Sequence, residues 1–161
     1  MTKPGLPYEE RPADAATIDG MVKALYESIS FAPHTQPDYD RLRSLFHVNG
    51  HLIPAKAEKE SPFTIMDVET FITHSREQVV IGGLERRGFV ETEVARRMQS
   101  FGSIVHLFST YESRYASTDP DPLQRGINSI QLVREHGRWW IVSILWEVER
   151  PGSQIPRAYL T

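Results

Sequence analysis

The sequence contains no cysteine. That excludes disulfides, thiolate nucleophiles, iron–sulfur clusters and cysteine-based zinc sites. It is compatible with a reducing compartment, and a cytoplasmic location is the expectation. No apolar run approaches the roughly 18 residues of a membrane span. The opening stretch MTKPGLPYEERPADAA lacks the apolar core of a signal peptide. Charge of one sign is also scarce: 18 Lys and Arg against 21 Asp and Glu leave a formal net charge of -3. No basic excess points to nucleic acid or an anionic membrane. Gly82-Gly83 lacks the Gly-x-Gly-x-x-Gly surroundings of a phosphate loop, and there is neither a P-loop nor a Gly-x-Ser-x-Gly elbow.

What is present is an ordinary globular composition, 40% hydrophobic and 24% charged over 161 residues, enough for one domain with a real core. Residues 1–13 carry three prolines and four charges and read as a flexible N-terminal arm. Residues 14–149 read as a single domain, and 150–161 as an extended, Pro-interrupted tail. Asp14 is the expected cap of a first helix over 15–30, with Ile18, Val22, Leu25 and Ile29 on one face. A second helix starts near Pro37-Asp38 and carries Leu42, Leu45 and Phe46. HVNGHLIP follows as a turn and short strand. The third helix has the clearest start: Asp67 as N-cap, with Met66 and Phe71 at the hydrophobic-staple positions. Gly82-Gly83 ends it.

The period then changes to two. Phe89–Met98, Ser103–Tyr115, Arg125–Arg134 and Arg138–Glu149 read as strands rich in β-branched and aromatic residues. Short links between long strands argue an antiparallel sheet. Three helices before such a sheet give an α+β domain with the helices packed on one face. A turn centred on His136-Gly137 sets Glu135 against Arg138. Extended without a bulge, that register puts Trp140, Val142, Ile144 and Trp146 on one face, and Trp139, Ile141, Ser143, Leu145 and Glu147 on the other. Both faces are substantially apolar, so a face turned away from the helices would form an exposed patch of the kind that marks an interface.

The helical front, HLFSTYESR at 106–114, RGINSIQLV at 125–133 and above all GRWWIVSILWE at 137–147 resemble the nuclear-transport-factor-2-like superfamily, in its SnoaL-like branch. The resemblance implies a cystatin-like cone, with three N-terminal helices in the concave face of a curved, mostly antiparallel sheet around a pocket. It implies a homodimer through the convex face, carried here by Trp140, Ile144 and Trp146, with Trp139 and Ser143 pointing inward. The superfamily holds both isomerase- or dehydratase-like enzymes and non-catalytic binding or assembly domains, so only the site assigns function.

HLFSTYESR offers two faces. If the one with His106, Phe108, Thr110 and Glu112 is concave, a desolvated Glu112 is the candidate general acid or base and His106 its proton-exchanging partner. Asn128 and Tyr26 would then hold a developing oxyanion. Phe108, Thr110, Trp139 and Ser143 would complete the ligand-binding wall. On the other face, Ser109 and Tyr111 are the lining groups. The plain alternative is that Glu112 and Arg114 form a solvated pair worth under about 1 kcal/mol. Glu91 and Glu93 share a strand face and could form a carboxylate pair; salt bridges with Arg96, Arg97 or a neighbouring strand are the expectation. His47 and His51 have a possible metal-ligand spacing, but Asn49-Gly50 between them and the absence of a third ligand argue against a metal site. No cofactor is expected. Ile155, Tyr159 and Leu160 make the tail apolar enough to dock, across a partner subunit on the dimer reading.

Overall fold

The computed structural model describes residues 11–55 and 62–161, so most of the expected N-terminal arm lies outside the described residues. Among the described residues, five α-helical segments appear instead of three. The expected helix over 15–30 is two: α1 (Pro12–Ala16) and α2 (Ile18–Ile29). Thr17 separates them in an extended conformation, and its hydroxyl accepts the Gly20 N–H at 2.9 Å. Thr17 therefore does the capping expected of Asp14. Asp14 lies inside α1, where Arg41 donates to both its oxygens at 2.8 and 3.0 Å. α3 (Tyr39–Leu45) is capped by Asp38. α4 (Val68–Ile81) is capped by Asp67, which accepts the Thr70 N–H at 2.7 Å. The short α5 (Leu84–Arg87) follows Gly82-Gly83.

The strands are β1 (Phe46–Pro54), β2 (Met66–Asp67), β3 (Val90–Phe101), β4 (Ile104–Arg114), β5 (Gln124–Glu135) and β6 (Arg138–Val148). They form one sheet in the order β2-β1-β6-β5-β4-β3. Only β1 and β6 run parallel; every other neighbouring pair is antiparallel. The four long strands and the α+β class agree with the sequence reading. The last hairpin has the expected register, Glu135 opposite Arg138, with His136 and Gly137 both at positive φ. Two such residues make the tight turn whose twist matches the strands.

Two bulges then redirect the side chains. In β6, Ile141 opposes Leu132 and Ser143 opposes Gln131, so Val142 has no partner. In β3, Glu93 opposes Tyr111 and Ala95 opposes Thr110, so Val94 has none. One inserted residue moves everything beyond it to the opposite face. The inner face consequently holds Trp139 and Ile141 before the β6 bulge and Ile144, Trp146 and Val148 after it. Ser143, Leu145 and Glu147 turn outward. Ile144 is buried in the core and Trp146 packs against it, contrary to their expected place on a dimer face. Trp140 does point outward but is buried by its own chain. Its ring meets His47 edge-on, and the Arg138 guanidinium lies 3.6 Å from its centroid.

The core forms where α2, α3 and α4 cover the inner face. Met21, Leu25, Leu42, Phe46, Ile72, Leu107, Ile130 and Ile141 are buried there, each large side chain contributing about 1.5–3 kcal/mol of burial. The tail is not fully extended: Arg157–Tyr159 form a 3-10 turn. It lies on the outer face of its own sheet. Thr110 donates to the Tyr159 carbonyl at 2.6 Å, Arg97 donates to that of Ala158 at 2.6 Å, and the Tyr159 ring meets Phe108 at 5.1 Å. Among the described residues no helix is long and apolar enough to cross a membrane.

Candidate functional site

A cavity of about 240 Å³ lies between the inner face and the helices. Leu25 and Ile29 of α2, Leu42 of α3 and Phe71 of α4 form one wall. Leu52, Ile144 and Trp146 of the sheet form much of the other, with the Phe71 and Trp146 rings edge to face at 6.0 Å. Glu91, Tyr111, Ser113, Gln124 and Asn128 supply its polar groups. An apolar chamber with a few fixed polar groups is the usual form of a small-molecule site.

Glu91 is set by the junction of α2 and β3. Its backbone N–H donates to Ser30 Oγ at 3.0 Å, and Ser30 Oγ donates to the Tyr26 carbonyl at 2.7 Å. Phe31 and Phe89 exchange backbone hydrogen bonds at 2.8 and 2.9 Å just before it. The strand start is therefore tied to the helix end. Burial pushes the Glu91 carboxyl up to about 8, and the Asn128 amide draws it partly back. At neutral pH this side chain is mostly an uncharged acid, able to donate a hydrogen bond or a proton.

Behind it runs a chain of hydrogen bonds whose directions follow from its members. Ser109 donates to Glu93 at 2.5 Å. Its one proton is then spent, so in the 2.7 Å contact with Tyr26 it is the tyrosine that donates. The Tyr26 oxygen accepts from Asn128 Nδ2 at 3.1 Å. Arg96 anchors the far end, bonding Glu93 at 2.8 Å and Asp19 at 2.6 Å. Burial drives the Tyr26 phenol far above its ordinary value. Tyr26 thus holds Asn128 in place and keeps no proton for a ligand. Burial also raises the Tyr111 phenol. Its ring lies over Gly126, where an added Cβ would stand 2.6 Å from Tyr111 Cζ and 2.6 Å from the Glu147 carbonyl.

Ser113 stands opposite Glu91 in the β3–β4 register. It is 1% exposed, and its hydroxyl has no hydrogen-bond partner.

Of the residues proposed from sequence, Tyr26 and Asn128 meet here. The β4 choice resolves to the second face, with Ser109, Tyr111 and Ser113 inward. His106 and Glu112 lie outside, because β4 alternates and Leu107 and Tyr111 belong to the core. His106 Nε2 is 2.8 Å from Ser129 Oγ, and Glu112 pairs with Arg114 at 2.9 Å, the plain alternative for that carboxylate. Phe108 and Thr110 are also outside, beneath the tail. Ser143 is outside, 3.3 Å from Gln131, and Trp139 is inside but away from this cavity, near Arg134. Glu93 forms the expected salt bridge with Arg96; Glu91 forms none of those expected. The signal for Glu91 was an acidic residue in a segment otherwise reading as half-buried strand.

No protein-family model matches the chain, and no curated protein matches it. Among solved structures it is similar to an NTF2-like protein with a cystatin-like fold from Novosphingobium aromaticivorans. That match has a TM-score of 0.56 at 13% identity and covers 77% of each chain. A cystatin-like protein from Nostoc punctiforme matches with a TM-score of 0.54 at 12% identity, over 70% of this chain and 77% of that one. An NTF2-like protein from Silicibacter pomeroyi matches with a TM-score of 0.52 at 15% identity, over 82% and 89%. With this topology and these neighbours, the chain has the cone-shaped fold of the nuclear-transport-factor-2-like superfamily.

Proposed function

We propose that the protein binds a small, largely apolar molecule in the inner cavity and performs acid–base chemistry on it with its own side chains, isomerase- or dehydratase-like, as in the SnoaL-like branch. Glu91 is the proton-handling group. The observation carrying this reading is a carboxyl in an apolar cavity with no cation beside it among the described residues, its proton affinity raised into the range where it exchanges protons near neutral pH. In its ionised form it removes a proton next to a carbonyl. The Asn128 amide, held by Tyr26, steadies the carboxylate, and the resulting acid returns the proton.

Exchange of α-protons into D2O, followed by NMR over a panel of open-chain, monocyclic and polycyclic ketones, tests this. The wild type accelerates exchange of at least one ketone and Glu91→Gln does not. Equal rates for the two proteins across the panel contradict the reading.

A non-catalytic binding role has one observation on its side: Tyr26 spends its only proton on Ser109. Saturable binding without exchange is its signature. The homodimer is proposed on a smaller patch than the sequence suggested, around the exposed outer-face residues Phe101 and Ile104, which face each other across the β3–β4 hairpin. Sedimentation of the wild type and Ile104→Lys checks it.

A further inference from the structure

We propose that the cavity takes a neutral molecule the size of a single substituted ring, bearing a carbonyl or hydroxyl oxygen, and that the Ser113 hydroxyl holds that oxygen. The proposal rests on the preceding reading only in taking the cavity as the binding site.

Size comes first. A 150 Å³ apolar cavity in another protein admits benzene, so about 240 Å³ admits a ring with a short substituent but not a fused polycycle. Charge comes second. Among the described residues, neither lysine, arginine nor histidine lines the cavity. A charged ligand would leave water with no opposite charge to meet it, a cost far above that of a neutral polar group.

The orphan hydroxyl comes third. Buried polar groups in folded proteins almost always have partners. Of the other polar groups around the cavity, Asn128 is committed to Tyr26 and acts on Glu91. Ser113 alone is both buried and unpaired among the described residues. It opposes Glu91 on one strand and Gln124 on the next. A ligand oxygen at this point accepts the Ser113 proton beside the very acid that would exchange protons with the ligand. Phe71 and Trp146 offer ring surfaces for the apolar part.

The test compares acetophenone with benzoate, its charged equivalent in size, and with a tetracyclic steroid ketone, each titrated at pH 7 against the isotope-labelled full chain. Acetophenone is expected to shift the amide resonances of Ser113, Gln124 and Asn128. Benzoate is expected to bind at least tenfold more weakly, and the steroid to leave those amides unmoved. Ser113→Ala should weaken acetophenone binding about five- to tenfold, the worth of one hydrogen bond. It should also keep or raise Tm, because it deletes an unpaired buried hydroxyl. Ser113→Cys, nearly the same size and a weaker donor, should weaken binding in the same direction. Benzoate binding as tightly as acetophenone, the steroid shifting the same amides, or undiminished acetophenone binding in both variants overturns the proposal. Ser113-dependent binding without α-proton exchange leaves this proposal standing and removes the acid–base reading. Glu91-dependent exchange of a polycyclic ketone with no acetophenone binding does the reverse.

Discussion

Glu91 and Glu93 stand two residues apart on the inner face of β3, and the bulge at Val94 gives an arginine to only one of them. By pushing Ala95 outward, it brings Arg96 to the inner face opposite Ser109, within 2.8 Å of Glu93. Glu93 is answered by a cation. Glu91 is left against Ser113, Asn128 and an apolar wall. One inserted residue thus separates a salt-bridged carboxylate from one held against an apolar wall.

A pH dependence of stability follows. The folded-state value of Glu91, about 8, lies above the ordinary carboxylate value. Between those values the folded protein holds a proton that the unfolded chain has released. Its contribution to stability is fully present below the ordinary value and is lost as pH rises through about 8. Glu91→Gln removes this dependence. Urea unfolding of both proteins should show the variant gaining on the wild type between pH 5 and 8, by at most about 1.4 kcal/mol per unit. Parallel curves would mean that the carboxyl is solvated.

Tyr26→Phe deletes the middle of the Asn128–Tyr26–Ser109 chain. Ser109 keeps Glu93, but the Asn128 amide loses a buried partner. A loss of about 1–3 kcal/mol is expected from denaturant unfolding. The Glu91 titration should move as well, because Asn128 is no longer fixed beside it.

Gly126→Ala places a methyl against the Tyr111 ring and the Glu147 carbonyl, the latter a backbone atom that cannot step aside. The expected cost is about 1–3 kcal/mol, the usual range for overpacking. Tyr111 should be displaced into the cavity, so acetophenone binding should fall further than stability alone accounts for.

His106→Gln and Glu112→Gln should leave ligand binding and proton exchange unchanged. Both lie on the outer face, where Glu112 pairs with Arg114 and His106 contacts Ser129. A large loss of exchange in either variant would place the chemistry on the wrong side of the sheet.

The sequence made the cone legible because its signals were local. Asp67 caps α4 through a bond three residues away, and the positive φ values of His136 and Gly137 turn the last hairpin. Tyr26 and Asn128 were legible as a pair, though their role was not. What stayed hidden depended on parity. Val94 and Val142 are good strand residues, and nothing in their chemistry announces a bulge. Yet Val142 sends Ser143 outward and Ile144 and Trp146 inward, which removes two of the three residues expected at a dimer face. On β4 the two faces carried similar mixtures of apolar and hydroxyl groups, so the sequence left open which lined the cavity. Phe108 and Thr110 lie on the face that turns outward, where the tail covers them.

The central claim is that Glu91 faces the cavity as a proton-exchanging acid. Its side-chain carboxyl carbon can be followed by NMR from pH 4 to 10 in the wild type, with Glu91→Gln identifying the resonance. The account predicts a midpoint near 8, shifted on binding of acetophenone. A midpoint near 4.5, unmoved by ligand, would contradict it.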